Sequence, residues 1–130
     1  MEKARILLVE DNLEILRLLQ LLLQAEGFMV EAVENAETAC DRMKEQPPDL
    51  LLTDLMMPRV GGLDLIRWAR RTTALVDVPI IALSAYERTY HKAALMAGAN
   101  VVMEKPDDFG ELTGTIHRLL ADRKPARPAA

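Results

Sequence analysis

Short apolar runs alternate along this chain with longer amphipathic stretches. Arg5 to Val9 (RILLV) is apolar at every position after the first, the pattern of a strand buried on both faces. Asn12 is placed to cap a helix running to about Glu26, where Gly27 ends it. Phe28 to Ala32 reads as a second, weaker strand, and Asn35 or Ala36 to about Gln46 as a helix stopped by Pro47-Pro48. Asp49 to Thr53 (DLLLT) is a third buried strand. Pro58 to Gly62 carries turn residues and precedes a helix from about Leu63 to Arg71. Val78 to Leu83, Glu87 to Ala97, Asn100 to Met103 and a last helix capped by Asp107 or Asp108 and ending near Ala121 complete the series.

Five strands alternating with five helices imply a parallel sheet with helices on both faces. The fold class expected is therefore α/β, a doubly wound five-stranded sheet of order 2-1-3-4-5 in the flavodoxin-like manner. Ligands of such folds bind beyond the carboxyl ends of the strands, at the switch point. Residues 1–121 are expected to form one domain, and 122–130 (DRKPARPAA) a flexible tail or the start of a linker.

Composition narrows the picture. Half of the 130 residues are apolar and 28% are charged, the balance of a chain with a real core. A net charge of −4 without a basic patch argues against direct nucleic-acid binding. The N-terminus leads into too short an apolar run for a signal peptide, and no stretch approaches a membrane span, so no membrane contact and a cytoplasmic location are expected. The single Cys40 rules out an intramolecular disulfide and is expected as a small half-buried helix residue.

Within the first helix, Ile15, Leu18, Leu19 and Leu22 make a stripe expected to face the sheet, with Leu13, Leu16 and Leu21 off it. His91 and His117 have no Cys, Asp or Glu at ligand spacing and are expected at the surface. Trp68 is expected to pack, and Arg67, Arg70 and Arg71 to form a solvated basic face.

The chemistry falls at the strand ends. The first strand ends in Glu10-Asp11, the third in Asp54, the fourth in Ser84 and the fifth in Glu104-Lys105-Pro106. One such Asp is commonly a helix cap or turn residue; four reactive or ligating ends in one fold are a different matter. Three carboxylates in one cleft would repel each other and raise their own pKa values, and a hard divalent cation such as Mg²⁺ removes that repulsion. Lys105 adds a point charge suited to phosphate, Ser84 a hydroxyl for a phosphoryl oxygen, and Asp54 is placed as a carboxylate nucleophile.

The set Glu10-Asp11, Asp54-Leu-Met-Met-Pro58 with Gly62, Ser84-Ala85 and Lys105-Pro106 resembles the receiver domains of two-component response regulators, over roughly residues 4–121. The resemblance implies that Asp54 accepts a phosphoryl group from a sensor histidine kinase or phosphotransfer protein. It implies that Asp11, Asp54 and the backbone carbonyl of Met56 ligate Mg²⁺, with Glu10 direct or through water, and that Ser84 and Lys105 contact the phosphoryl group. It also implies a cis Lys105–Pro106 peptide, which proline makes accessible. The chain would then be a stoichiometric phosphoacceptor with slow autodephosphorylation, not an enzyme acting on an outside substrate. Its output would pass through the face formed by the fourth helix, fifth strand and fifth helix, which in relatives also supports homodimers. The start of the first helix, with Leu13, would meet the kinase.

The sequence departs from the family pattern at four positions. Glu10 stands for the commoner Asp, Ser84 for the commoner Thr, Val102 for a frequent aromatic switch residue, and Met56 for a polar residue that orients the hydrolytic water in some members. Two other readings compete. A Mg²⁺-dependent hydrolase or nuclease usually needs a second Asp two residues from the first, and position 56 is Met; an aspartyl-phosphate phosphatase wants a DxD that Glu10-Asp11-Asn12 does not supply. A phosphorylation-independent interaction domain would not require the intact acidic site.

Overall fold

The structure, a computed structural model, describes residues 3–57, 59–85, 90–105 and 109–123. The element order is β1 (Arg5–Val9), α1 (Leu13–Ala25), β2 (Met29–Val33), α2 (Ala36–Glu45), β3 (Leu50–Asp54), α3 (Gly62–Arg71), a short 3-10 turn (Thr73–Leu75), β4 (Ile80–Ser84), α4 (His91–Ala97), β5 (Val101–Glu104) and α5 (Phe109–Asp122). The strands form one parallel sheet of order β2-β1-β3-β4-β5, as the alternation predicts. Alternate strand residues feed two cores. Leu7, Val9 and Leu51 pack against α2, α3 and α4 through Ala39, Met43, Leu65, Ile66 and Ala94. Ile6, Leu8 and Leu52 pack against α1 and α5 through Leu16, Leu19, Leu23, Leu112 and Ile116. Each such leucine, fully buried, contributes about 1.5–3 kcal/mol.

The ends of the elements have local causes. Asn12 caps α1, its Oδ1 accepting from the Glu14 and Ile15 N–H groups at 3.1 and 3.2 Å. Asn35 caps α2 through Thr38 N–H at 2.7 Å. Gly27, at φ 102°, closes α1 by a reversed turn in which Phe28 N–H donates to Leu23 O and Gly27 N–H to Gln24 O. Phe28 therefore belongs to the cap, and β2 begins one residue later than the apolar run suggests. Likewise Pro79 lacks an N–H, so β4 starts at Ile80 rather than Val78, although Pro79 O still accepts from Leu51.

The stripe expected on α1 is out of phase. Leu16, Leu19 and Leu23 are the buried residues, whereas Leu18 is 49% exposed, beside Leu13 at 48% and Leu21 at 66%. With a leucine or isoleucine at eight of thirteen helix positions, two neighbouring stripes are nearly equally apolar, and the direction set by the β1–α1 turn chooses between them.

Arg67 and Arg71 are exposed as expected, but Arg70 is not a solvated charge. Its guanidinium donates to Gly98 O, Leu75 O, Val76 O, Val78 O and Asn100 Oδ1 at 2.7 to 3.2 Å. It thus gathers carbonyl oxygens from the two loop segments leading into β4 and β5. Trp68 does pack, half-buried against the α2–α3 core, with Lys44 Nζ 5.9 Å from its ring. Cys40 is half-buried, and that burial pushes its thiol pKa up. Because charged hydrogen bonds contribute about 1.5–3 kcal/mol each and do not add, Arg70→Met is expected to destabilise the domain by about 2–3 kcal/mol. A urea midpoint that moves by less than the equivalent of about 1 kcal/mol would show the fork to be dispensable.

Candidate functional site

Parallel strands that all end on one side bring their C-terminal residues together, and here that edge carries the polar side chains. Glu10 follows β1 and is anchored by its N–H to Val33 O at 3.1 Å. It is fully buried, and its Oε2 accepts from Asn12 N–H at 3.1 Å, so the residue that begins α1 also orients the carboxylate. Asp11, on the turn, is exposed. Asp54 is the last residue of β3, in the middle of the sheet, and is 2% exposed. Its Oδ1 accepts from Met56 N–H at 3.3 Å and its Oδ2 from Lys105 Nζ at 3.3 Å. Lys105 reaches in from the end of β5, tied there by its N–H to Ser84 O at 2.7 Å, and its ammonium also lies 2.9 Å from Glu10 Oε1.

The charges do not balance. Oxygens of Glu10, Asp11 and Asp54 all lie within 4.8 Å of one another. Three ionised carboxylates against one ammonium leave a formal charge of −2 (−3 + 1). Asp11, although exposed, has its pKa raised, chiefly by partial loss of water around its carboxylate and then by the hydrogen bond and negative charge of Glu10. Burial alone would lower Lys105, but Glu10 and Asp54 outweigh it and hold the ammonium above its usual pKa. Glu10 Oε1 is also the one buried side-chain oxygen among the described residues that lacks an aligned hydrogen bond; the ammonium beside it is an ion-pair contact. An oxygen-only donor set, an excess of two negative charges and an under-satisfied buried oxygen fit a hard divalent cation.

Ser84, the last residue of β4, is 3% exposed and stands beside Leu83, the register partner of Asp54. The structure therefore gathers Glu10, Asp11, Asp54, Ser84 and Lys105 at one edge. Met56 contributes its N–H to Asp54 and leaves its apolar side chain 57% exposed. Val102 packs half-buried against the α3–α4 core. Pro106, and with it the cis peptide expected after Lys105, lies outside the described residues, as do Glu87, the expected start of the fourth helix, and the expected caps Asp107 and Asp108.

One residue was not legible. His91, expected at the surface, begins α4 half-buried, with Nε2 2.7 Å from Ser84 Oγ. Seven residues separate the two in sequence, and no ligand-type spacing marks the pair. His117 is exposed as expected, resting against Phe28 with Nε2 3.5 Å from Glu26.

The family model for the response regulator receiver domain matches residues 6–117. Response regulator ArlR of Staphylococcus epidermidis is 35% identical over 118 residues, covering 90% of this chain and 52% of that protein. The phosphate regulon transcriptional regulatory protein PhoB of Rhizobium meliloti is 35% identical over 122 residues, covering 93% and 54%. The chain thus spans about half the length of the curated relatives it matches. Among solved structures, response regulator protein TrrA of Thermotoga maritima in complex with Mg(2+)-BeF superposes with a TM-score of 0.82 at 32% identity, covering 89% of this chain and 98% of that one. The signal receiver domain of a signal transduction histidine kinase from Syntrophus aciditrophicus gives 0.86 at 28% identity, covering 98% of each.

Proposed function

The chain belongs to the response regulator receiver domain family, and on that footing we propose that Asp54 accepts a phosphoryl group from a histidine kinase or phosphotransfer protein. The observation that carries this reading is the setting of Asp54: a buried carboxylate at the carboxyl end of the central strand, 3.3 Å from a lysine ammonium and within reach of two further carboxylates. In the transfer, a carboxylate oxygen of Asp54 forms the new O–P bond as the P–N bond of phosphohistidine breaks; the bonding pair stays on that nitrogen, and the ring leaves as neutral imidazole with the proton already carried by its other nitrogen. Lys105 stays at the site to meet charge on the phosphoryl oxygens, and Ser84 offers its hydroxyl to one of them. Met56 N–H and Lys105 hold the carboxylate in one orientation before the donor arrives.

Glu10, Asp11 and Asp54, with the Met56 carbonyl, would hold Mg²⁺, which supplies charge neutralisation for the transferring group. Asp11 is the exposed member, so its replacement removes a ligand without opening the core. Calorimetric titration of Mg²⁺ into Asp11→Asn is expected to give an affinity about tenfold weaker or worse than wild type, since carboxylate count sets the strength of such sites. Equal affinities would remove Asp11 from the ligand set.

The carboxylate is consumed in each cycle, so the chain acts as a stoichiometric acceptor rather than an enzyme. With only an apolar side chain at position 56, its autodephosphorylation is slow. Phosphorylation shifts the population of states at the face of α4, β5 and α5, where Tyr90, Leu95 and Met96 are 39%, 51% and 78% exposed. That face suits a partner or a second copy of the chain, and Leu13 at the mouth of the site suits the kinase. We take residues 1–121 as the receiver and 122–130 as a flexible tail or the start of a linker; α5 itself runs on to Asp122, and Arg123 donates to Asp49 O and Oδ1 at 3.1 Å. A net charge of −4 argues against direct nucleic-acid binding by these residues. No helix among the described residues is long and apolar enough to cross a membrane. From the family alone we assign the domain to the cytoplasm.

A further inference from the structure

A serine hydroxyl has one proton to give, and the surroundings of Ser84 decide where it goes. The residue is 3% exposed. Among the described residues the hydrogen-bond partner of its Oγ is His91 Nε2, at 2.7 Å. If the ring nitrogen carried a proton and donated it, the hydroxyl proton would be left in a buried place without an acceptor among the described residues, which is costly. The arrangement that satisfies both groups has Ser84 donating to a bare Nε2, with the ring proton on Nδ1. Phosphoryl oxygens are acceptors only. A phosphoryl group on the neighbouring Asp54 can be met by Ser84 only with that same proton.

We propose that His91 is a positioning residue: it holds the Ser84 proton in the unphosphorylated chain and surrenders it when Asp54 is phosphorylated, releasing the first turn of α4 from the site. This rests on the reading of Asp54 as the acceptor. His91 is the first residue of a helix only seven residues long, so the bond ties the entry of α4 directly to the end of β4. Leu95 and Met96 lie on the same short helix and are exposed; a change at its first turn therefore reaches the surface through little more than one turn of backbone. Val102, an aliphatic side chain, has no polar atom with which to take the Ser84 proton.

The resting bond opposes the phosphorylated state, and removing the acceptor must favour it. The test uses the full chain titrated with beryllium fluoride in the presence of Mg²⁺, as wild type, His91→Phe and His91→Gln, each also carrying Ser84→Ala. His91→Phe is expected to bind the fluoride complex about fivefold more tightly, the equilibrium value of one neutral hydrogen bond. His91→Gln, whose Oε1 can accept the same proton, should stay close to wild type. In the Ser84→Ala background the His91→Phe effect should vanish. Nitrogen shifts of the His91 ring should show Nε2 unprotonated in the resting chain and perturbed on adding the fluoride complex. An unchanged or weaker His91→Phe, an effect that survives Ser84→Ala, or a protonated resting Nε2 would each overturn the proposal. If the wild-type chain takes up no fluoride complex, the reading of Asp54 falls and this inference with it; uptake with an unaltered His91→Phe overturns this inference alone.

Discussion

Replacing Gly62 with alanine is expected to destabilise the domain by about 3 kcal/mol, at the upper end for added bulk in a packed place. A methyl group at Gly62 would collide with Asp54 O and stand 2.8 Å from Leu55 Cα and 3.0 Å from Asp54 C. These are backbone atoms, so no side-chain rotation relieves the clash. Gly62 N–H also donates to Leu55 O at 3.0 Å, which clamps the start of α3 onto the end of β3. To admit the methyl group, the main chain of Asp54 must move, and displacing a nucleophile by about 1 Å costs on the order of a hundredfold in rate. The variant that remains folded should therefore accept phosphoryl groups far more slowly. Gly114→Ala is the matching control: it lies in the exposed middle of α5 with nothing within 4 Å of an added Cβ. It should stabilise the domain by about 0.5–1 kcal/mol. A Gly62→Ala chain with wild-type stability and uptake would mean that the α3–β3 junction does not position Asp54.

Lys105→Met is expected to lower stability by about 3 kcal/mol in the absence of divalent cation. The ammonium is the positive group found within ion-pair distance of both Glu10 and Asp54, whose side chains are 1% and 3% exposed. Taking it away leaves buried carboxylates facing each other. The effect sits at the low end for a broken buried pair because the Lys105 side chain is itself 28% exposed, so water already shares in the interaction. Adding Mg²⁺ should restore much of the loss, since the cation supplies charge at the same oxygens. Phosphoryl uptake should nevertheless remain reduced by about a hundredfold or more, the usual consequence of removing one charge-stabilising donor. Denaturation with and without Mg²⁺ separates the two effects. Stability unaffected by the substitution would mean that Glu10 and Asp54 are not held by Lys105.

The sheet and the edge that carries the site are legible in the sequence for the same reason. Strands buried on both faces must be apolar throughout, so RILLV, DLLLT and VPIIAL stand out, and the first polar residue after each marks the sheet's carboxyl edge. Glu10, Asp54, Ser84 and Lys105 can thus be assigned to one place before any coordinates are known. Side chains whose position depends on how helices lie over the sheet are harder to read. The α1 leucines offer more than one apolar stripe, and the buried set, Leu16, Leu19 and Leu23, follows from the turn after β1. Arg70 sits between two exposed arginines in sequence, and its burial comes from carbonyls 5 to 28 residues away. His91 reaches Ser84 across the β4–α4 connection, and nothing in its spacing announces the contact.

The central claim is that Asp54 is the acceptor and that divalent cation is required. Intact-mass measurement after incubation with a small acyl phosphate and Mg²⁺ tests it most directly, with Asp54→Asn measured in parallel. The wild-type chain should gain the mass of one phosphoryl group, and that gain should disappear in Asp54→Asn and in excess chelator. An undiminished gain in Asp54→Asn, or no gain in the wild type with any donor, would contradict it.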